Sequence, residues 1–367
     1  MKTFARGLGR LGLLASTSAL VASLAACAST PSDAPLVSTS TPTGEVATTG
    51  ELGALAAGAP DFEVHEWGLL DVDGTKAEVH TLPKPYVEPQ RPVTVKKPVL
   101  YFHLAKGTER ATIDVKVTVP GDDGGAVVEH SPPGQLDDAG ASIAWRGLVL
   151  EKKAGCGAGL TKDLPSKESS VCNTPDGVCE VLELGNYVTS DASCITAPGG
   201  VAVNHLFYRA REKPPVLPFE IAEVEGGKLQ IKHTRASDVI GPIVYVHDDP
   251  SHPTVSVLAP PALGASITAD PPTTSDVSSA ALAIDAAMRE AGLSDEEAAA
   301  FNRAWRSSLY GEDPAAKKQP PIAKAALAPR DYLLFVVPMS LADGVAKLTI
   351  TPPPRAVRRF LLVRLEV

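Results

Sequence analysis

Two small groups of side chains have the types and spacing to hold a metal ion. The first lies in "FEVHEWGLLDVDGTKAEVHTL", residues 62–82, and comprises His65, Glu78 and His80. Two imidazoles and a carboxylate suit zinc and its neighbouring transition metals. The second lies in "HDDPSH", residues 247–252, and offers His247, Asp248, Asp249 and His252. Each group also has a plainer reading. His80 could stack on Trp67 and cover a neighbouring loop. Acids in a proline-containing turn usually only solvate that turn. Glu66 raises a different question, because its neighbours on one strand face are apolar. A lone buried carboxylate must find a partner or take up a proton. Arg146 in "AWRG" and Arg209 in "YRAR" sit in apolar strands and are its expected partners, in a buried ion pair that fixes strand order. The chain has no Gly-x-Ser-x-Gly elbow, no His-Glu-x-x-His, no phosphate loop and no dinucleotide fingerprint, so no catalytic residue is singled out.

These residues need strands to position them. Asp73-Gly74 suits the positive φ angles of a two-residue type I′ turn, which predicts a hairpin over 62–82. In that register Val72 faces Thr75, Trp67 faces His80 and His65 faces Leu82. His65 and His80 then lie diagonally on one face, and Glu66 points to the other. Further strands are expected at 98–105, 111–120, 141–152 and 201–211, with a second hairpin over 218–234 turning at Gly226-Gly227. The stretches 240–249 and 254–260 follow as strands. The period then changes. "TTSDVSSAALAIDAAMREAGL" (273–293) reads as a helix stopped at Gly292. "SDEEAAAFNRAWRSSLYG" (294–311) reads as another, with Ser294 and Glu297 as a capping box and Phe301, Trp305 and Leu309 along one core-facing stripe. Strands are again expected at 331–338, 345–352 and 357–367. The fold class expected is mainly β with a small helical hairpin. A β-sandwich-like body over 61–260 would be followed by a linker at 261–275, then by the helix pair and closing strands of 276–367.

Four of the five cysteines, Cys156, Cys172, Cys179 and Cys194, fall in a Gly-, Pro- and Ser-rich excursion over 153–200. In an oxidising compartment an even set reads as two disulfides. A turn centred on Pro175 and Asp176 would set Cys172 opposite Cys179, leaving Cys156 for Cys194. A four-thiolate zinc site is the rival, but no Cys-x-x-Cys spacing supports it.

The amino terminus supplies that compartment. Lys2, Arg6 and Arg10 precede an apolar run at 11–24 that is too short to span a bilayer. Leu24-Ala25-Ala26-Cys27 resembles the lipobox of bacterial lipoproteins. That resemblance implies cleavage after residue 26 and fatty acylation of Cys27, which would tie the chain to the membrane. Ala28 in place of Asp favours the outer membrane in a Gram-negative cell. Residues 27–60 hold almost no large apolar side chain and read as a tether. Loss of the three leader charges takes the formal net charge from −9 to −12. So acidic a chain is a poor fit to nucleic acid.

"F-x-V-H-E-W-G" at 62–68 resembles a family of exported bacterial proteins that usually read "VHEWGTF". "KKPVLYFH", "IAWRGLVL", "HLFYRA", "GLSDEEAAAFNRAWRSSLY" and the ending "LTITPPPRAVRRFLLVRLEV" match further stretches of that family in order, over about 61–367. Leu69-Leu70 replaces its Thr-Phe, and "VEHSPPG" stands where it has "TEWYP". The resemblance implies export and carries no site residue. The function expected is a lipid-anchored envelope protein that binds or scaffolds another envelope protein or a glycan. The alternative is a metal-dependent envelope hydrolase using His65 with His80, or His247 with His252.

Overall fold

Alternation of apolar and polar residues drives many stretches of this chain into strands. The computed structural model describes residues 60–72, 93–120, 125–153, 156, 180–200, 202–212, 216–249, 252–310 and 330–367. In chain order the strands are β1 (Phe62–Val72), β2 (Val93–Leu104), β3 (Arg110–Thr118), β4 (Ala126–Ser131), β5 (Gln135–Leu136), β6 (Ser142–Glu151), β7 (Cys194–Thr196), β8 (Ala202–Val203) and β9 (Leu206–Glu212). They continue as β10 (Phe219–Val224), β11 (Lys228–His233), β12 (Ile243–Asp248), β13 (Thr254–Leu258), β14 (Ser266–Ala269), β15 (Arg330–Val336), β16 (Lys347–Thr351) and β17 (Ala356–Glu366). The helices are α1 (Val277–Glu290), α2 (Asp295–Tyr310) and α3 (Met339–Val345), with a 3₁₀ helix at Glu180–Tyr187. The protein is mainly β with few helices. None of its described helices is long and apolar enough to cross a membrane.

The organising element is an eight-stranded sheet in the order β13-β12-β15-β17-β1-β2-β9-β4. One face packs on a six-stranded sheet and a three-stranded sheet. Phe62, Val64, Phe102 and Phe335 meet Ile113, Val115, Trp145, Phe219 and Ile231 in one core. The other face is covered by α1, α2 and the 3₁₀ helix. Trp67, Leu69, Tyr101 and Phe360 meet Leu184, Ile284, Phe301, Trp305 and Leu309 in a second core. Burial of a large apolar side chain contributes about 1.5–3 kcal/mol. A sheet buried on both faces reads as nearly continuous apolar sequence, and β15 and β17 do. β3 lines one core only, and alternates cleanly.

Local signals hold up well. The hairpin β10–β11 turns where Gly226 and Gly227 have positive φ. Helix α1 is capped by Asp276, which accepts the Ser279 N–H, and stops at Gly292 with φ +89. Long-range expectations fare worse. A strand has two hydrogen-bonding edges, and both edges of β1 are filled by β2 and β17. Residues 73–82, the other half of the hairpin expected over 62–82, lie outside the described residues. The stretch 261–275, expected as a linker, contains β14, which pairs with β11. The closing segment supplies β17, which runs parallel to β1 in the middle of the sheet, so it forms no separate unit. At the β1–β2 register shift, a Cβ on Gly68 would lie 3.1 Å from the Pro98 Cα, so the close approach of these strands favours glycine there.

Candidate functional site

The helix face of β1 and β2 carries two histidines. Antiparallel pairing sets His65 opposite Tyr101 and Glu63 opposite His103. His65 and His103 are thus diagonal neighbours, with ring centroids 4.3 Å apart and planes tilted by 40°. Helix α2 begins above them. Its capping box forms: the Glu297 N–H donates to Ser294 Oγ at 3.2 Å, and the Ser294 N–H donates to Glu297 Oε2 at 2.8 Å. The same carboxylate reaches down to the sheet. Oε2 lies 2.9 Å from His65 Nδ1, and Oε1 lies 2.9 Å from His103 Nε2 and 3.1 Å from His65 Nδ1. One potential donor atom from each of His65, His103 and Glu297 falls within 4.8 Å of the others. No other trio of metal-ligating types does so among the described residues.

Burial and charge compete here. The Glu297 residue is fully buried, His65 is 7% exposed, and the His103 side chain is 20% exposed. Burial alone would push the Glu297 carboxyl up. Hydrogen bonds and charge from His103 and His65 outweigh it and hold the group down to about 2. Burial alone would lower His103, but its hydrogen bond to Glu297 and the attraction of that carboxylate raise it. Tyr101, beneath the pair, is pushed well above its ordinary value by burial and then by the Glu297 charge. Outside the trio, Glu63 faces the second nitrogen of His65 at 3.6 Å and is clasped by Arg355. Burial would raise Glu63, yet Arg355 and then His65 hold it low.

The residues expected to do chemistry are placed differently. Glu78 and His80 lie outside the described residues, so the trio keeps only His65 from the first group. His247 Nδ1 sits 2.6 Å from Asp331 Oδ1, directly across the β12–β15 ladder. His247, Asp249 and His252 do not gather as a trio of ligand atoms within 4.8 Å of one another. Glu66 is buried and charged-paired as expected, but its partner is Arg359, its immediate neighbour in the β1–β17 register. Tyr208 Oη donates to the other carboxylate oxygen at 2.8 Å. Arg146 is exposed on β6. Arg209 is buried but follows Tyr208 on β9, so alternation turns it to the opposite face, where it meets Glu129 at 3.8 Å. Cys156 and Cys194 form a disulfide with Cα atoms 5.7 Å apart. Cys172, Cys179 and Cys27 lie outside the described residues.

Two of the three site residues escaped sequence reading. His103 sits in "PVLYFHLA", where it reads as one polar residue in a buried strand. Glu297 has a sufficient local explanation in the capping box. Only the β1–β2 register and the docking of α2 bring them together. A usable signal did exist: His103 shares the parity of Tyr101 and Val99, which marks the face α2 covers.

Two imidazole nitrogens and a carboxylate can ligate a divalent cation, share a proton, or tie a helix to a sheet. No family model and no curated protein matches the chain. Among solved structures, the Fcho1 Mu homology domain of Danio rerio with bound Eps15 peptide is 10% identical, with 83% of this chain and 94% of that chain covered at a TM-score of 0.32. A likeness that loose carries no argument about this chain.

Proposed function

We propose that this chain is a lipid-anchored protein of the cell envelope, acylated at Cys27, whose head binds or scaffolds an envelope protein or a glycan. Within it, the His65–His103–Glu297 cluster holds a divalent cation that ties α2 to the sheet. The lipobox-like Leu24-Ala25-Ala26-Cys27 and the "VHEWGTF"-type stretch support export and anchoring. One observation favours binding over catalysis. The Glu297 carboxylate is fully buried, and both its oxygens already meet partners from β1, β2 and Ser294. A catalytic carboxylate or metal must present an open position to its substrate. A metal-dependent hydrolase is the second reading, favoured by the partial exposure of His103.

Two measurements on the purified full chain test this. Intact mass should show a fatty-acylated Cys27 at the new amino terminus, and metal analysis after dialysis should show about one divalent cation per chain. An unmodified Cys27 in a freely dissolved protein would remove the anchor. Turnover of model esters or amides that depends on the cation would replace the binding reading with the hydrolase.

A further inference from the structure

We infer that the cation is of the zinc class, held by His65 Nδ1, His103 Nε2 and a Glu297 oxygen, and that Glu63, clasped by Arg355, positions His65 to ligate it. This rests on the reading that the cluster holds a divalent cation. The donor set decides the class. Two of three donors are imidazole nitrogens, which suit zinc, cobalt and copper. Calcium needs six to eight oxygens and magnesium a near-octahedral oxygen shell, and the cluster has neither. Spacing agrees. Metal–ligand bonds of about 2.0–2.2 Å at tetrahedral angles put donors about 3.3–3.5 Å apart. The observed nitrogen–oxygen separations are 2.9, 2.9 and 3.1 Å. The nitrogen–oxygen legs need to lengthen by only a few tenths of an ångström, and the two ring nitrogens lie within 4.8 Å of each other.

His65 has one further requirement. To give its Nδ1 lone pair to a metal, a neutral ring must carry its proton on Nε2. Histidine ligands usually hand that N–H to a carboxylate, which fixes the tautomer and the ring plane. His65 Nε2 is buried and has no hydrogen-bond partner, and the nearest acidic oxygen is Glu63 Oε2 at 3.6 Å. Arg355 holds the other oxygen of Glu63 through Nε at 3.0 Å and through a second, closer nitrogen, and also reaches Asp61 at 3.4 Å. The carboxylate is therefore oriented before any cation arrives. Metal binding expels the protons now shared between the rings and Glu297. Those protons leave to solvent, the lone pair freed on each metal-facing nitrogen goes to the metal, and His65 keeps or takes up from solvent one proton at Nε2, facing Glu63, so that its ring stays neutral.

The test uses the full chain, stripped with chelator and titrated separately with zinc, cobalt(II), calcium and magnesium. Zinc should bind once per chain, cobalt should give the visible absorption of a low-coordinate site, and calcium and magnesium should not compete. His103→Ala should abolish binding while the chain stays folded, which serves where Glu297→Gln loosens α2. Glu63→Gln should weaken zinc binding about 10–100-fold. Nitrogen-15 spectra of the zinc-loaded chain should show His65 protonated at Nε2, and Glu63→Gln should shift that signal. Calcium or magnesium binding in preference to zinc would overturn the zinc class while leaving a divalent site standing. Failure of every cation to bind would remove the site itself. Tight zinc binding unchanged in Glu63→Gln would overturn the positioning role alone.

Discussion

His65 and Glu66 are adjacent in sequence and belong to different worlds. Glu66 points into the sheet–sheet core and pairs with Arg359 one strand away in the same ladder. Arg359 is 3% exposed and also meets Asp343 and the Ala346 carbonyl. His65 points to the helix layer and meets Glu297, which arrives on a separate element. The first charge pair is made by strand neighbours and sealed. The second is made by docking one layer on another and reaches partly to solvent through His103. An arginine cannot shed its charge, whereas histidines can. The sealed pair is therefore committed architecture, and the seam pair is adjustable.

Substitution should separate the two. Glu66→Gln leaves the Arg359 guanidinium buried beside a neutral amide, and a loss of about 3–5 kcal/mol is expected in denaturant unfolding. In the chelator-stripped chain, Glu297→Gln removes one carboxylate but leaves no fixed charge stranded in the core, so about 1–2 kcal/mol should go, part of it from the capping box. Equal losses in the two variants would break the comparison.

A third buried group sharpens it. His205 lies on the same sheet face between the rings of Tyr101 and Tyr187, and no carboxylate compensates its burial. Burial pushes it down to about 3. Its native value is below its unfolded value of about 6.5, so the unfolded chain takes up the proton first. Stability from this group is intact above about pH 6.5 and falls as the pH drops toward 3, by up to about 1.4 kcal/mol per pH unit. Urea midpoints at pH 7 and pH 5 should therefore differ, and His205→Phe should flatten the difference. An unchanged pH slope in that variant would show that His205 is not held neutral. The smallest effect belongs to Arg355, whose side chain is half exposed. Arg355→Met should leave the urea midpoint of unfolding nearly unchanged. A larger loss would make that pair architecture like Glu66–Arg359.

Sequence legibility divides along the same line. The opposed faces of β1 were readable from period two, because alternation is a property of one strand. That placed Val64 and Glu66 on one side and His65 and Trp67 on the other, as observed. The need of Glu66 for a cation was readable too, because burial of an unpaired carboxylate is costly anywhere. The identity of that cation was not. Arg146 and Arg209 had the right residue type in the right kind of strand, but Arg359, 293 residues away, had the register.

By itself the sequence determined most of the longer strands, the helix pair, the Ser294–Glu297 cap, the Gly226-Gly227 turn and the faces of β1. All of these depend on contacts within a few residues, where backbone geometry leaves few choices. Tertiary structure alone decided that β17 and β2 fill the two edges of β1 and that Glu297 descends between His65 and His103. Those outcomes depend on which apolar surfaces cover the sheet. Many strands of similar composition compete for each edge, and only packing of the whole body chooses among them.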